Sequence, residues 1–286
     1  MCVTLLNEIP RKRFGYHVVY DADICDAIGF AGRNGFGYIV PDLMIPRFFP
    51  ERFGQPDRRR IREAAQSNNV SISFHAPSDY LNIGTLYPEV KQAVVSRMKL
   101  CMNFADDLQA QRFTVHVDPP YDFVLAGREG TFLKDHWNIY KNSIKEGILE
   151  LVGNAPKNLQ VCVENDRLSK IVIEALEETL NSGKLFLTWD IPKSLTAKGR
   201  PVNEVEDFLT HHLDKVVECH IHDQKPGKPS HDAVGAGSIN FQRYLRILIP
   251  TEVFFTIEVR PREAALKSLQ RLERMLHKLG CRISPS

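Results

Sequence analysis

The sequence predicts a single (β/α)8 TIM-barrel domain over residues 1–286, with its working rim at the C-terminal ends of the strands. Three observations predict it. Short apolar runs alternate with amphipathic stretches from end to end, which calls for parallel strands joined by crossover helices. Eight such pairs fit in 286 residues, a usual length for this α/β fold. No G-x-G-x-x-G follows the first run, so an open doubly wound sheet is the weaker alternative.

Taken in order, the strand-like runs are Tyr16–Tyr20, Gly37–Val40, Val70–His75, Arg112–Val117, Leu159–Glu164, Leu185–Asp190, Val216–Ile221 and Val253–Val259. They are rich in Val, Ile, Phe and Thr and lack strict alternation, as strands covered on both faces do. Between them, Glu89–Leu108, Leu168–Asn181 and Glu263–Leu279 repeat apolar residues at helical spacing, and a shorter helix is expected near Asn240–Leu248. Asn181-Ser182-Gly183 provides a helix stop before the sixth strand. No composition shift or linker divides the chain.

Composition removes other classes. With 43% apolar and 25% charged residues the chain is neither disordered nor fibrous. Lys and Arg number 37 against 35 Asp and Glu, a net +2, which disfavours a dedicated nucleic-acid binder. No apolar run is long enough for a membrane span. The segment MCVTLLNEIPRKRF puts its charges after a short apolar stretch, the reverse of a secretory signal. Cys2, Cys25, Cys101, Cys162, Cys219 and Cys281 show no C-x-x-C spacing, so reduced thiols and a cytoplasmic location are expected.

The chemistry is expected where the strands end. Six runs carry a metal-ligand residue at their last position or one before it: His75, His116, Glu164, Asp190, His220 and Glu258. In a barrel those ends form one rim, so residues far apart in sequence converge. One such histidine is commonly structural, and one such carboxylate is often a helix cap. Six together point to a site for Zn, Mn, Fe or Co, whose ligands mix imidazole and carboxylate. His222 shares strand period with His220, so either can be the ligand.

Weaker candidates surround these. His231 stands in a loop before Gly235 and Gly237, a pair that permits a tight backbone path. Lys193 and Arg260 are expected near the mouth, where Arg260 suits an oxygen-rich substrate and Lys193 is either an anion contact or an ordinary surface lysine; Asn82, His136 and Trp137 could reach the mouth as well. Arg58, Arg59, Arg60 and Arg62 read as a solvated helix face rather than a phosphate track. Phe48, Phe49 and Phe53 are a lid or, more simply, loop core, and residues 119–129 form a loop that could cover the site.

These residues resemble the xylose-isomerase-like TIM-barrel superfamily, which joins sugar isomerases and epimerases to the endonuclease IV type of AP endonuclease. The matching segments are SFHAPSDYLNIGT, FTVHVDPP, VCVENDR, LTWDIPKS, CHIHDQKPG with SHDAVGAGSINF, and FTIEVRPREAALKSLQRL. For the isomerases the resemblance implies one divalent ion held by Glu164, Asp190, His220 and Glu258, with the two glutamates as proton-transfer acid and base. For the endonuclease IV branch it implies a first ion at His75, His116 and Glu164 and a second at Glu164, Asp190, His220 and Glu258. A third ion there needs a histidine three residues after the aspartate and an aspartate two before a histidine. Here Lys193 and Pro229 stand at those places, leaving only His231.

The first expectation is therefore a metal-dependent isomerase or epimerase of a sugar-like or polyhydroxylated carbonyl compound, with Glu164, Glu258 and Lys193 catalytic. His231, Arg260, His222 and Asn82 are the expected substrate contacts. The second is a two-metal hydrolase of a non-DNA phosphodiester, a cobamide for example, with abasic DNA less favoured. The third is a metabolite-binding barrel without activity. Zn or Mn is the expected metal, with Co, Fe and Mg open. The expected partner is a small molecule, not a membrane or nucleic acid, and a homodimer is compatible with rim loops.

Overall fold

Parallel hydrogen bonding runs around a barrel in the computed structural model, which describes residues 7–78, 81–123, 126–127 and 131–284. Its eight strands are Phe14–Val18, Tyr38–Pro41, the broken pair Ser71–Ile72 and Phe74–His75, Arg112–Val115, Gln160–Glu164, Leu185–Asp190, Val216–Ile221 and Phe254–Ile257. The third strand is interrupted at Ser73. Its first piece pairs with the second strand and its second with the fourth. Ser73 N–H still donates to the Ile39 carbonyl and Leu43 N–H to the His75 carbonyl, both at 2.9 Å, so the ring carries on across the break.

Each strand is followed by a helix: Ile24–Asn34, Gln55–Ser67, Pro88–Asp107, Trp137–Asn154, Lys170–Thr179, Asn203–His211, Phe241–Leu248 and Arg262–Lys278. The fourth crossing adds a short helix, Thr131–Asp135, so nine helices stand among the described residues where eight were expected. Local chemistry sets their ends. The Asp23 carboxylate accepts the Asp26 N–H at 2.8 Å, and Gly35 at φ 80° closes that helix. Gly183, at φ 90°, ends the turn before the sixth strand at the expected stop. No described helix is long and apolar enough to cross a membrane.

Several boundaries move. The first strand lies two residues earlier than Tyr16–Tyr20, leaving Tyr20 exposed in the following loop. The fourth ends at Val115 and the eighth at Ile257, so His116 and Glu258 sit just beyond their strands. His231 is not in a loop: Asp223–Lys225 and Lys228–Asp232 pair as an antiparallel hairpin after the seventh strand. A second addition, Asn7–Pro10 paired with Cys281–Ser284, lies under the opposite end of the barrel.

Inside the barrel, strand period arranges one inward series per strand. The series run Arg112–Thr114–His116, Glu218–His220–His222 and Phe254–Thr256–Glu258, with Gly15–His17 and Tyr38–Val40–Asp42 beside them. The lower layer is charged yet buried. Arg112, 1% exposed, donates from Nε to Glu218 Oε2 at 3.1 Å, and Glu218 is fully buried. The guanidinium lies 3.8 Å from the Phe254 ring centre and 4.8 Å from that of Tyr38. Gly15 makes room for this layer, because a Cβ there would stand 2.2 Å from the Tyr38 ring. The upper end of each series reaches the rim.

Candidate metal centre

Glu164 closes its strand with its carboxylate among imidazoles. Its Oε2 lies 3.3 Å from His75 Nε2, 3.1 Å from His116 Nε2 and 3.3 Å from His220 Nδ1. His220 Nδ1 is also 3.4 Å from Glu258 Oε1, and His222 Nε2 is 3.3 Å from Asp190 Oδ2. His231 Nε2 reaches Glu258 Oε2 at 3.5 Å. Three donor groups have ligand atoms within 4.8 Å of one another: His75, His116 and Glu164; Glu164, Asp190 and His220; and His222, His231 and Glu258. The six strand-end residues thus come together, and the choice between His220 and His222 resolves into two separate placements.

The protonation pattern fits a cation. His75 Nδ1–H donates to the Ala76 carbonyl at 2.9 Å and His222 Nδ1–H to the Ser230 carbonyl at 3.1 Å. In the neutral ring each Nε2 then turns a lone pair toward a carboxylate oxygen, an arrangement that needs a proton or a metal ion between them. His220 is fully buried, and neither of its ring nitrogens has a hydrogen-bond partner among the described residues. Orphaned buried nitrogens beside two carboxylates are what an ion's ligands look like without the ion.

Electrostatics agree. Burial alone lowers the His75 pKa, but Glu164 and Asp42 outweigh it and push it up to about 9. Burial likewise works against His220, and Glu258 and Glu164 hold it well above the usual imidazole value. Glu164 and Glu258 are kept well below the usual carboxylate range by His116 and His220 and by His220 and His17 respectively, against a burial cost. A raised folded value stabilises the protonated form, so the His75 contribution is complete below pH 6.5 and vanishes as pH climbs through about 9. The melting temperature of metal-free protein is therefore expected to fall across that window. The increase caused by added Zn should grow over the same range, because neutral imidazole is the ligand. A pH-independent Zn effect would count against imidazole ligation.

Neighbouring residues hold the donors in place. The Asp190 N–H donates to Asn165 Oδ1 at 2.6 Å, Asn165 Nδ2 donates back to the Asp190 carbonyl at 2.9 Å, and Trp189 Nε1 donates to Ser194 Oγ at 2.8 Å. Asp190 Oδ1 accepts the Lys193 N–H at 3.1 Å, so this carboxylate caps a turn with one oxygen and offers the other to the pocket. Lys193 Nζ turns to Asp166 Oδ1 at 2.6 Å, and Asp166 Oδ2 lies 3.4 Å from His116 Nδ1. Glu218 Oε1 stands 3.8 Å from His220 Nε2, beneath the rim.

Sequence reasoning passed over four of these groups. His17 lies on the first strand with Nδ1 3.7 Å from Glu258 and Nε2 3.7 Å from Asp42. Arg260 donates to His17 Nδ1 at 3.1 Å, and burial lowers the His17 pKa well below its usual value. His17 and Asp42 obey the same strand-end rule as the others, and Asp166 and Glu218 are each two residues from a named ligand.

Other candidates fall outside the centre. Asn82 Oδ1 accepts the Gly84 N–H at 2.8 Å, a local turn. His136 donates to the Phe132 carbonyl and Trp137 to Glu174 on the next helix. The aromatic loop is loop core rather than a lid: Phe48 is fully buried, Phe53 stacks on Phe104 at 5.2 Å, and Arg97 covers Phe49. Arg58 and Arg62 tie to Asp107 on the adjacent helix. In the 119–129 loop, Val124, Leu125, Arg128 and Glu129 lie outside the described residues, as do Cys2 and the side chain of Pro229. A cleft of about 590 Å³ at the opposite barrel end, lined by Arg11, Lys12, Asn68 and Ser71 among others, gathers no carboxylate or imidazole among the described residues.

The fold has counterparts. A family profile described as xylose isomerase-like TIM barrel matches residues 28–275. An uncharacterised protein of Methanocaldococcus jannaschii is 25% identical over 202 residues, covering 69% of this chain and 73% of that protein. Among solved structures, a D-tagatose 3-epimerase-like protein superposes with a TM-score of 0.75 at 19% identity, covering 93% of this chain and 97% of the other. Endonuclease IV from Thermus thermophilus superposes with a TM-score of 0.68 at 16% identity, covering 93% and 99%. At these identities the structures share the fold.

Proposed function

The chain belongs to the xylose isomerase-like TIM-barrel family, and from that premise we propose that it is a divalent-metal-dependent hydrolase of a small-molecule phosphate ester, a phosphodiester first. One observation carries the reading. Glu164 Oε2 faces two histidines, His75 and His116, that lie outside the set Glu164, Asp190, His220 and Glu258, and it faces His220 within that set. A carboxylate so placed is suited to bridge two ions. His75, His116 and Glu164 would hold one, and Glu164, Asp190, His220 and Glu258 the other.

A pair of divalent ions supplies an activated water and a clamp for phosphate charge. The chain's own residues do the rest. Asp166 sits on Nδ1 of His116 and orients that ring, while Asn165 fixes the backbone of Asp190. Lys193 turns toward Asp166 instead of filling the pocket, which speaks against a binding barrel blocked by that lysine. Its ammonium and the Arg260 guanidinium lend positive charge to an anionic substrate. The near-neutral chain favours a small molecule over DNA.

A second reading, the isomerase or epimerase, is favoured by a different observation. His220 Nδ1 lies 3.3 Å from Glu164 and 3.4 Å from Glu258, a pairing that suits one ion flanked by two proton-transfer carboxylates. Ion counting separates the readings. Full-length protein stripped by chelator and reloaded with Zn or Mn is expected to bind at least two ions and to cleave bis(p-nitrophenyl) phosphate. His75→Ala/His116→Ala should lose one ion and that activity. An unchanged count in the variant, with turnover on ketoses only, would replace the hydrolase by the isomerase.

A further inference from the structure

We propose that His222 and His231, with Glu258 and Asp190, hold a further divalent transition-metal ion, distinct from the ions served by His75, His116 and His220. This deepens the metal-centre reading, and its donor set is not the one that the family resemblance implied, because Lys193 and Pro229 cannot provide it.

The hairpin after the seventh strand builds the site. It pairs Asp223 with Asp232 and Lys225 with Lys228, and the His222 Nδ1–H is spent on the Ser230 carbonyl at 3.1 Å, leaving Nε2 as the free lone pair. That nitrogen faces Asp190 Oδ2 at 3.3 Å. The next residue, His231, lays its ring over His222 with centres 4.0 Å apart and planes 23° from parallel. Its Nε2 points to Glu258 Oε2 at 3.5 Å. Two imidazole nitrogens and a carboxylate oxygen thus converge within 4.8 Å, with Asp190 against His222. His222, Asp190 and Glu258 are all buried, and His231 closes the outer side with its side chain 39% exposed.

The support is rigid, as a metal site requires. Asp223, fully buried, accepts the Gly235 N–H at 2.9 Å on one oxygen and the Gln224 and Ile239 N–H groups at 2.9 and 3.2 Å on the other. Gly237 lies against it so closely that a Cβ would stand 2.3 Å from Asp223 Oδ1. The glycine pair read from sequence as a tight backbone path therefore serves to lock the hairpin that carries His231. Two imidazoles in the set select Zn or Co over Mg or Ca, which prefer all-oxygen sites.

The test counts ions in the full chain. Chelator-stripped wild type, His222→Ala/His231→Ala and His75→Ala/His116→Ala are reloaded with Zn and analysed by mass spectrometry under native conditions, and with Co for visible spectra. The first variant is expected to bind one ion fewer than wild type and to lose one component of the Co spectrum, while keeping the ions that depend on His75 and His116. Because His231 is exposed, His231→Gln provides a variant that should fold normally; its weakest Zn is expected to bind at least ~10-fold less tightly. Equal counts and spectra in wild type and both His222/His231 variants would overturn the site. Failure of the two-ion hydrolase reading is seen separately, as an unchanged count in His75→Ala/His116→Ala.

Discussion

Glu164→Gln is expected to lower turnover by ~100-fold or more while leaving the fold intact. The substitution keeps the size of the side chain and one acceptor oxygen, but removes the charge that faces His75, His116 and His220 at once. In the two-ion reading it should weaken both ions together, so metal content and activity fall in parallel. Glu258→Gln gives the comparison. It leaves His75, His116 and Glu164 untouched and should keep the ion they hold. Steady-state rates and ion counts on the same preparations check both, and full turnover in Glu164→Gln would remove this carboxylate from the chemistry in either reading.

Arg112→Met should destabilise the protein by about 3–5 kcal/mol, the usual cost of leaving a buried charge without its partner. Glu218 is fully buried and takes its ion-pair bond from Arg112, so the single change strands a carboxylate under the rim. For a chain of this size the melting temperature should fall by roughly 10 °C. Arg112→Met/Glu218→Leu should recover much of that loss, because two apolar side chains of similar volume can replace a buried pair. Calorimetry of the single and double variants tests the pairing. A double variant no more stable than the single would mean that Arg112 contributes through its contacts with Phe254 and Tyr38 instead.

The barrel and most of its rim were legible because both follow from strand periodicity. Buried parallel strands read as apolar runs, and a polar residue that ends such a run has few reasons to be there except the rim. The same logic explains the omissions. Placing the first run at Tyr16–Tyr20 ended it on an exposed tyrosine and hid His17, one register step inside the true strand. Asp42 follows Pro41, which ended the second run too early to show it. Glu218 looked like an ordinary polar residue in mid-strand, because its partner Arg112 is 106 positions away and only the closed barrel brings them together. The hairpin leaves one local sign in the sequence, Pro226-Gly227, a turn signal between its strands with Gly227 at φ 73°. Side-chain direction was beyond reach: no spacing rule says that Lys193 bends to Asp166.

The paired strands Asn7–Pro10 and Cys281–Ser284 put the first and last described segments side by side, with the Asn7 N–H on the Gly280 carbonyl at 3.0 Å, under the end of the barrel away from the candidate metal centre. Joining those segments with a short linker and reopening the backbone at another lower turn, such as the one around Gly183, should yield a circularly permuted protein whose upper rim is unchanged. The permuted chain would carry the same rim residues from a different starting point.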